Sequence, residues 1–146
     1  MKELLYLKDE QIKEIVEKLF VVYRESFADA KKILDQYSIG IAHHKVIHLL
    51  SINKGITISE LLKKLKVTKQ SLNRVLRDLI NSKMIKQIKD ENDTRKKNLF
   101  LNKEGKIFFE SVYDAQKKRI FNALKNSNTD SVIKFKEVLK KIIDGK

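Results

Sequence analysis

Cysteine, proline and tryptophan are absent from this 146-residue chain, and glycine occurs only four times. Without cysteine there can be no disulfide framework, no thiol nucleophile and no zinc site with cysteine ligands. No apolar run approaches the roughly 20 residues that a helix needs to span a bilayer, and residues 1–7 are too short for a signal-peptide core. We therefore expect a cytoplasmic protein with no membrane partner.

The signatures of the common enzyme classes are missing as well. The chain has no glycine-rich phosphate loop, no cysteine nucleophile and no Ser/His/Asp set with recognisable spacing. We expect neither an enzyme nor a bound cofactor. The length suits one domain, which can build its core without a metal or a disulfide.

Positive charge is what the chain has in excess, with a formal net charge of +13. Residues 60–97 hold 12 Lys and Arg against 5 Asp and Glu, a net of +7, whereas the other 108 residues have a net of +6. Composition driven by AT-rich coding DNA would explain many lysines as solvated surface. The same composition explains the arginines less well, because arginine is the residue of bidentate phosphate and base contacts. Three of the five arginines lie in this segment: Arg74, Arg77 and Arg95.

Residues 57–81 have the pattern of two short helices joined by a turn. Thr57 and Glu60 form a Thr-x-x-Glu capping box, and Thr68 can cap the second helix. Apolar residues at helical spacing predict the inward face of that helix: Leu72, Val75, Leu76 and Leu79. Its other face carries Thr68, Lys69, Gln70, Asn73, Arg74 and Arg77. Because Lys and Arg hold phosphates while Arg, Asn and Gln match base edges in the major groove, this is a candidate recognition helix.

A β-hairpin is predicted next, because the apolar period changes to two over residues 84–89 and an extended pattern returns over residues 97–101. Its tip, residues 90–96, is too polar for core. Arg95 and Lys96 at the tip are candidate DNA contacts, with Arg95 placed for the minor groove. Asp93 we interpret as a structural partner that orients the tip, since DNA would repel a carboxylate. A helix-turn-helix followed by such a hairpin is a winged helix.

At this point the sequence resembles the MarR family of bacterial winged-helix transcription regulators. Asp93-x-Arg95 followed by Leu101-Asn102-x-x-Gly105 resembles the family's wing signature, with Asn102 for Thr as an equally good helix cap. The segment 68–79 is similar to the family's recognition helix. The resemblance covers residues 39–105 and reduces to helix pattern at both ends. The absence of cysteine excludes the MarR-like peroxide sensors that signal through a reactive cysteine.

Long amphipathic stretches flank this region. Residues 9–37 have apolar residues at helical spacing without Gly or Pro, and a helix of that length spans roughly 40 Å, more than a small domain can cover. Residues 106–146 continue the pattern, with a polar interruption at 126–129. The resemblance implies that the helices in 1–37 and 106–146 intertwine with those of a second copy, around a DNA-binding head at 38–105. The alternative is that they only cover a monomeric core.

All three histidines lie in one predicted helix, residues 41–52. His44 and His48 are four residues apart and could share a metal, but no third ligand is evident, and we expect no metal site. The resemblance implies that His43 and His44 lie where family members bind small effectors, here an aromatic or anionic molecule. The alternative for each is a packing histidine without a ligand.

Together these patterns predict a mostly α fold with a small β-hairpin, formed by a single domain of residues 1–146. We expect a winged helix-turn-helix head plus long N- and C-terminal dimerisation helices. The expected function is that of a homodimeric repressor, which binds double-stranded DNA at pseudo-palindromic operators and responds to a small effector. The alternative is a winged-helix protein-interaction module without specific DNA binding.

Overall fold

The computed structural model describes residues 4–146, and helices dominate this part of the chain. After a short 3-10 turn at Leu5–Leu7, the elements are α1 (Asp9–Gln36), α2 (Ile41–Ile52), β1 (Ile56–Thr57), α3 (Ile58–Leu65), α4 (Lys69–Asn81), β2 (Ile85–Lys89), β3 (Lys97–Leu101), α5 (Lys103–Lys125) and α6 (Thr129–Asp144). The predicted mostly α fold with a small β-hairpin is confirmed. Across residues 4–146, no helix is both long and apolar enough to cross a membrane.

Local caps define the helix-turn-helix, as the sequence predicted. The Thr57 Oγ1 atom accepts a 3.2 Å hydrogen bond from the Glu60 amide at the start of α3. At the start of α4, the Thr68 Oγ1 atom accepts a 3.1 Å bond from the Ser71 amide. Lys66 ends α3 in the left-handed conformation, with φ of 53°. Each cap satisfies an amide that the first turn of a helix leaves without a partner.

The hairpin belongs to a three-stranded antiparallel sheet with the strand order β1-β3-β2. β2 and β3 pair from Ile85 with Leu101 to Lys89 with Lys97. β1 adds the pairs Ile56 with Leu99 and Thr57 with Asn98. The sequence did not predict β1, because a strand of two residues has no period of its own.

The chain divides into two compact units. The winged unit is Ala28–Tyr113 and contains the helix-turn-helix and the sheet. Helices α1 to α5 and all three strands contribute side chains with at most 3% exposure to its core. These buried side chains include Leu34, Ile47, Leu61, Leu72, Leu99 and Phe108. A core shared by this many elements fixes α3, α4 and the sheet within one folded body.

The terminal unit comprises the described residues through Phe27 together with Asp114–Lys146. Contacts between α1 and α5 in this unit include a 3.4 Å hydrogen bond from the Gln116 Nε2 atom to the Ser26 carbonyl and a 3.8 Å ion pair between Arg119 and Glu25. None of the described residues of this unit is buried. Most of its large apolar side chains are exposed in the single chain, and a few, such as Phe27 and Leu139, are partly buried.

The junction between the hairpin and α5 packs closely against Met84. The Asn102 amide donates a 2.8 Å bond to the Met84 carbonyl, and its side-chain Nδ2 atom donates to the carbonyls of Lys83 and Ile85 at 3.1 and 3.2 Å. A Cβ atom at Gly105 would lie 2.1 Å from the Met84 carbonyl oxygen. The Asn102 side chain thus ties the end of β3 to the start of β2, a role that the helix-cap pattern did not predict.

Candidate nucleic-acid interface

The recognition helix α4 presents one apolar and one polar face. Leu72, Leu76 and Leu79 are buried with at most 3% exposure and hold the helix against the core. All the predicted contact residues of this segment are exposed: Thr68, Lys69, Gln70, Asn73, Arg74 and Arg77. The helix can therefore meet another molecule with its charged and amide side chains while its apolar side remains packed.

Two aspartates organise the tip of the wing. The Asp90 carboxylate accepts bonds from the amides of Asn92 and Asp93 at 2.8 and 3.2 Å, and from the Asn98 side chain at 3.2 Å. These donors, the Asn92 amide first, hold the pKa of Asp90 below its ordinary value. Asp90 was not among the residues singled out from sequence, although an aspartate that begins a turn is a known signal for such bonds.

Asp93 and Arg95 form the second part of the wing tip. The Asp93 Oδ1 atom accepts 3.0 and 3.1 Å bonds from the Arg95 amide and Nε, and Oδ2 accepts a 3.4 Å bond from the guanidinium. The Arg95 side chain, through this bond first and its amide second, lowers the pKa of Asp93. Arg95 is 90% exposed. The ion pair with Asp93 orients the Arg95 side chain, and the side of the guanidinium that faces away from Asp93 remains accessible.

A concave surface joins the recognition helix to the wing. It has a volume of about 580 Å³, and it is lined on one side by Lys69 and Asn73 of α4 and on the other by residues 95–97. The start of α3 forms its floor and adds Lys63, with Glu60 as the acidic residue in the lining. Five cationic side chains against one carboxylate make this a region of positive potential that attracts phosphates.

A neighbouring concavity of about 350 Å³ brings Asn73 and Arg77 together with Gln87 of β2 and Lys97 of β3. Gln87 and Lys97 were not predicted as contact residues. Side chains on one face of a sheet recur every second residue, so Gln87 shares a face with the buried Ile85, and Lys97 shares one with the buried Leu99. Gln87 and Lys97 are nearer the hairpin tip than Ile85 and Leu99, so they lie beyond the core, where this face of the sheet is beside α4. The period of two could have identified both residues.

The predicted DNA contacts thus divide into two groups. Lys69, Asn73, Arg95 and Lys96 line one concave surface, and Arg77 shares the adjacent one with Asn73. Thr68, Gln70 and Arg74 are exposed on the same helical segment but do not line either concavity.

The histidines of α2 have distinct surroundings. The His43 Nε2 atom lies 3.0 Å from Asp78 Oδ2 of α4, and its Nδ1 atom is buried without a partner. His44 is buried, and its ring makes an edge contact with His48 at 6.3 Å. Burial first, and the neighbouring His48 second, lower the pKa of His44, and burial lowers that of His48.

His44 and His48 do not meet a third ligand. Within residues 4–146, no group of three or more His, Asp or Glu side chains could hold a metal ion. His48 instead contacts the ring of Phe109 at 5.9 Å, and Phe109 stacks on Tyr113 at 5.6 Å.

A helix-turn-helix with a cationic surface shared between its second helix and a β-hairpin defines the winged helix-turn-helix class. The sequence matches the model of the MarR family over residues 37–96. It is 38% identical over 141 residues to the HTH-type transcriptional regulator PetP of Rhodobacter capsulatus, a match that spans 97% of this chain and 85% of PetP. The chain belongs to the MarR family and is a transcriptional regulator, not an enzyme.

Solved structures show the same fold. A MepR mutant from a multidrug-resistant S. aureus clinical isolate superimposes with a TM-score of 0.76 at 21% identity, over 90% of this chain and 96% of MepR. A mutant of MarR from E. coli, solved in complex with operator DNA, gives a TM-score of 0.65 at 23% identity, over 96% of this chain and 99% of MarR. At these identities the likeness concerns the fold.

Proposed function

We propose that this regulator binds double-stranded DNA as a homodimeric repressor, with α4 and the wing as the contact surface. The observation that carries the proposal is the concave surface shared by Lys69, Asn73 and the wing residues 95–97. It combines cations for phosphates with an amide that can read a base edge. The complex of the E. coli MarR mutant with operator DNA supports the same use of this fold.

Within each half-site we assign different tasks to the exposed side chains. Gln70, Asn73 and Arg74 contact base edges in the major groove, because their forked groups match adenine and guanine. Phosphates are contacted by Thr68, Lys69, Arg77 and Lys96, and Lys63 and Lys97 extend this set. Arg95 enters the flanking minor groove, where a narrow A·T-rich stretch concentrates negative potential. Asp93 stays within the wing as the partner of Arg95.

The terminal unit supports the dimer. Its exposed apolar side chains include Phe20 at 70%, Phe121 at 52% and Ile143 at 79%. A surface this apolar is costly in water, and a second copy of the same unit would bury it. Two-fold symmetry would then place two α4 helices about 34 Å, or roughly 10 base pairs, apart, which suits a pseudo-palindromic operator. We therefore assign dimerisation to the helices in 1–37 and 106–146 and DNA binding to the 38–105 head of one MarR-like domain. Leu34 and Phe108, on the parts of these helices that belong to the winged unit, also contribute to its core.

Effector binding is a further part of the proposal. The winged unit contains a cavity of about 430 Å³, within the range of small-molecule sites, lined by Leu50, Lys54, Lys86, Phe100, Lys106 and Phe109 among others. Two aromatic rings and three lysines, against the one carboxylate of Glu110, suit a small aromatic or anionic molecule. Neither His43 nor His44 lines this cavity, but Phe109 contacts His48, which contacts His44, so a row of rings runs from the cavity to His44. An effector there changes DNA affinity only if it binds one arrangement of the dimer better than another.

Selection from a random duplex pool, followed by affinity measurements at increasing salt, tests DNA recognition. We expect an enriched pseudo-palindrome, with binding that weakens steeply as salt is raised. Loss of binding to every duplex at low salt would leave the winged-helix interaction module as the function. A reporter gene downstream of the enriched site then separates repression from activation.

Phenolic or lipophilic acids test the effector. A regulatory site predicts that they change operator affinity with a coupling of about 1–3 kcal/mol. Acids that raise the unfolding temperature but leave operator affinity unchanged would show a pocket without regulation.

A further inference from the structure

Asp78 stands out on the recognition helix because α4 carries no other acidic residue. It follows Arg77 and is itself 55% exposed. A free carboxylate beside the proposed DNA surface would repel phosphates. In this structure the carboxylate is engaged, since its Oδ2 atom lies 3.0 Å from His43 Nε2 on α2.

The His43 side chain is partly buried on its own helix. It lies in the first turn of α2, with a side chain that is 24% exposed and an Nδ1 atom that is buried. An ionised carboxylate only accepts hydrogen bonds, so Nε2 must be the donor. The contact joins residues 35 positions apart and connects α2 to the helix that carries the DNA-facing side chains.

The hydrogen bond between His43 and Asp78 restricts the orientation of α4, which apolar packing alone does not. Leu72, Leu76 and Leu79 attach α4 through apolar burial, which resists separation but has little directional preference. A hydrogen bond prefers an angle above about 150° and weakens steeply below about 120°, so it resists large rolling and sliding of the helix. Asn73 lies five residues before Asp78 on the same helix, and a small roll would displace it from a base edge.

We propose that His43 is a positioning residue, which acts through Asp78 to fix the rotation of the recognition helix. This inference rests on the proposed DNA contact through α4, but it assigns His43 a task other than effector binding. Loss of the bond should weaken readout of base edges more than binding to phosphates, because phosphate contacts tolerate small displacements better than paired base contacts.

The test compares variants on two DNAs at one salt concentration, well below the unfolding temperature of each variant. One DNA is the duplex that the parent protein enriches from a random pool, and the other is poly(dI-dC). We expect His43→Ala to bind the enriched duplex about tenfold more weakly, as for loss of a hydrogen bond to a charged group, and poly(dI-dC) almost as well as the parent.

His43→Gln should restore affinity, because the Gln amide nitrogen can donate in place of Nε2. Ala42→Gln, at the neighbouring exposed position of the same helix, is the matched control and should bind both DNAs like the parent.

A second pair of variants separates positioning from charge screening. Asp78→Asn keeps an acceptor and removes a negative charge, so it should bind at least as tightly as the parent. The double variant His43→Ala/Asp78→Ala lacks both the bond and the carboxylate and should remain weaker on the enriched duplex. Full recovery in the double variant would overturn the proposal and show that His43 only screens Asp78. Equal weakening on both DNAs would also overturn it. If the parent enriches no duplex at all, the DNA-binding proposal itself fails and this inference fails with it.

Discussion

The winged unit and the terminal unit are built from similar amphipathic helices, yet they bury their apolar residues to very different extents. The contrast is clearest along α5, which contributes to both units. Phe108, in the winged unit, is 0% exposed, whereas Phe121, in the terminal unit, is 52% exposed. The same residue type on the same helix is thus core in one region and surface in the other.

This difference shows where each unit obtains its stability. The winged unit closes its own core, so its stability should be independent of protein concentration. The described residues of the terminal unit are not buried, so under the dimer proposal their stability comes from association and follows mass action. The proposed function requires both, because a single winged helix covers little DNA for tight specific binding.

Removing residues 1–20 should have the largest effect. We expect a poorly folded or monomeric protein, because the deletion removes most of the apolar stripe of α1 in the terminal unit. DNA affinity should fall on the order of 10²–10⁴-fold, the gain that linking two binding modules typically provides. Light scattering and DNA titration measure the two outcomes, and a stable dimer after the deletion would reject the assignment of these helices.

Two of the three phenylalanines of α5, Phe108 and Phe121, provide a matched comparison. Phe108→Ala should cost about 3–5 kcal/mol of unfolding free energy, as for a buried aromatic side chain, at every protein concentration. Phe121→Ala should act through association instead, lowering the unfolding temperature mostly in dilute samples. Denaturation over a hundredfold range of protein concentration distinguishes them, and equal, concentration-independent losses would contradict the division between the units.

Asn73→Ala tests whether the winged unit reads sequence. A bidentate base contact predicts a loss of roughly 1–3 kcal/mol on the preferred duplex and an altered sequence preference. Lys69→Ala is the control for charge, and it should weaken all duplexes alike and reduce the salt slope by about 1. Competition binding at several salt concentrations measures both. An Asn73 variant that behaves like the Lys69 variant would reduce α4 to a phosphate-binding helix.

Arg95→Ala addresses the wing and should have a smaller effect. We expect a loss confined to sites with A·T-rich flanks, because a narrow minor groove attracts the guanidinium most strongly there. Competition between duplexes that differ only in their flanks is the measurement. If the variant bound duplexes with every flanking sequence as well as the parent does, the hairpin would only pack against the rest of the winged unit and Arg95 would not contact DNA.

The smallest effect is a pH dependence that should arise in the winged unit. The pKa of His44 is lowered from its ordinary value of 6.5, chiefly by burial, so the unfolded chain binds a proton more readily than the native one. Stability should therefore fall as pH decreases below about 6.5, through the lowered native pKa. Chemical denaturation between pH 7.5 and 5.5 measures this slope, which should be flatter in His44→Phe. An unchanged slope would assign the effect to other groups.

The sequence by itself determined the elements that depend on neighbours along the chain. The caps at Thr57 and Thr68, the buried face of α4 and the period of two in the hairpin were all readable, because they arise from interactions within a few residues. The family could be identified from the same stretch. Those local signals were enough to predict a winged helix-turn-helix fold.

The tertiary structure decided everything that joins distant segments. β1 exists because Ile56 and Thr57 find partners on β3, about forty positions further along the chain. Gly105 is required because α5 starts against the Met84 carbonyl, and His43 meets Asp78 because α2 packs beside α4. The burial of Phe108 and the exposure of Phe121 also follow from packing, since both fit the same helical pattern. A periodic sequence specifies which face of a helix is apolar, but only contacts between segments specify what covers that face.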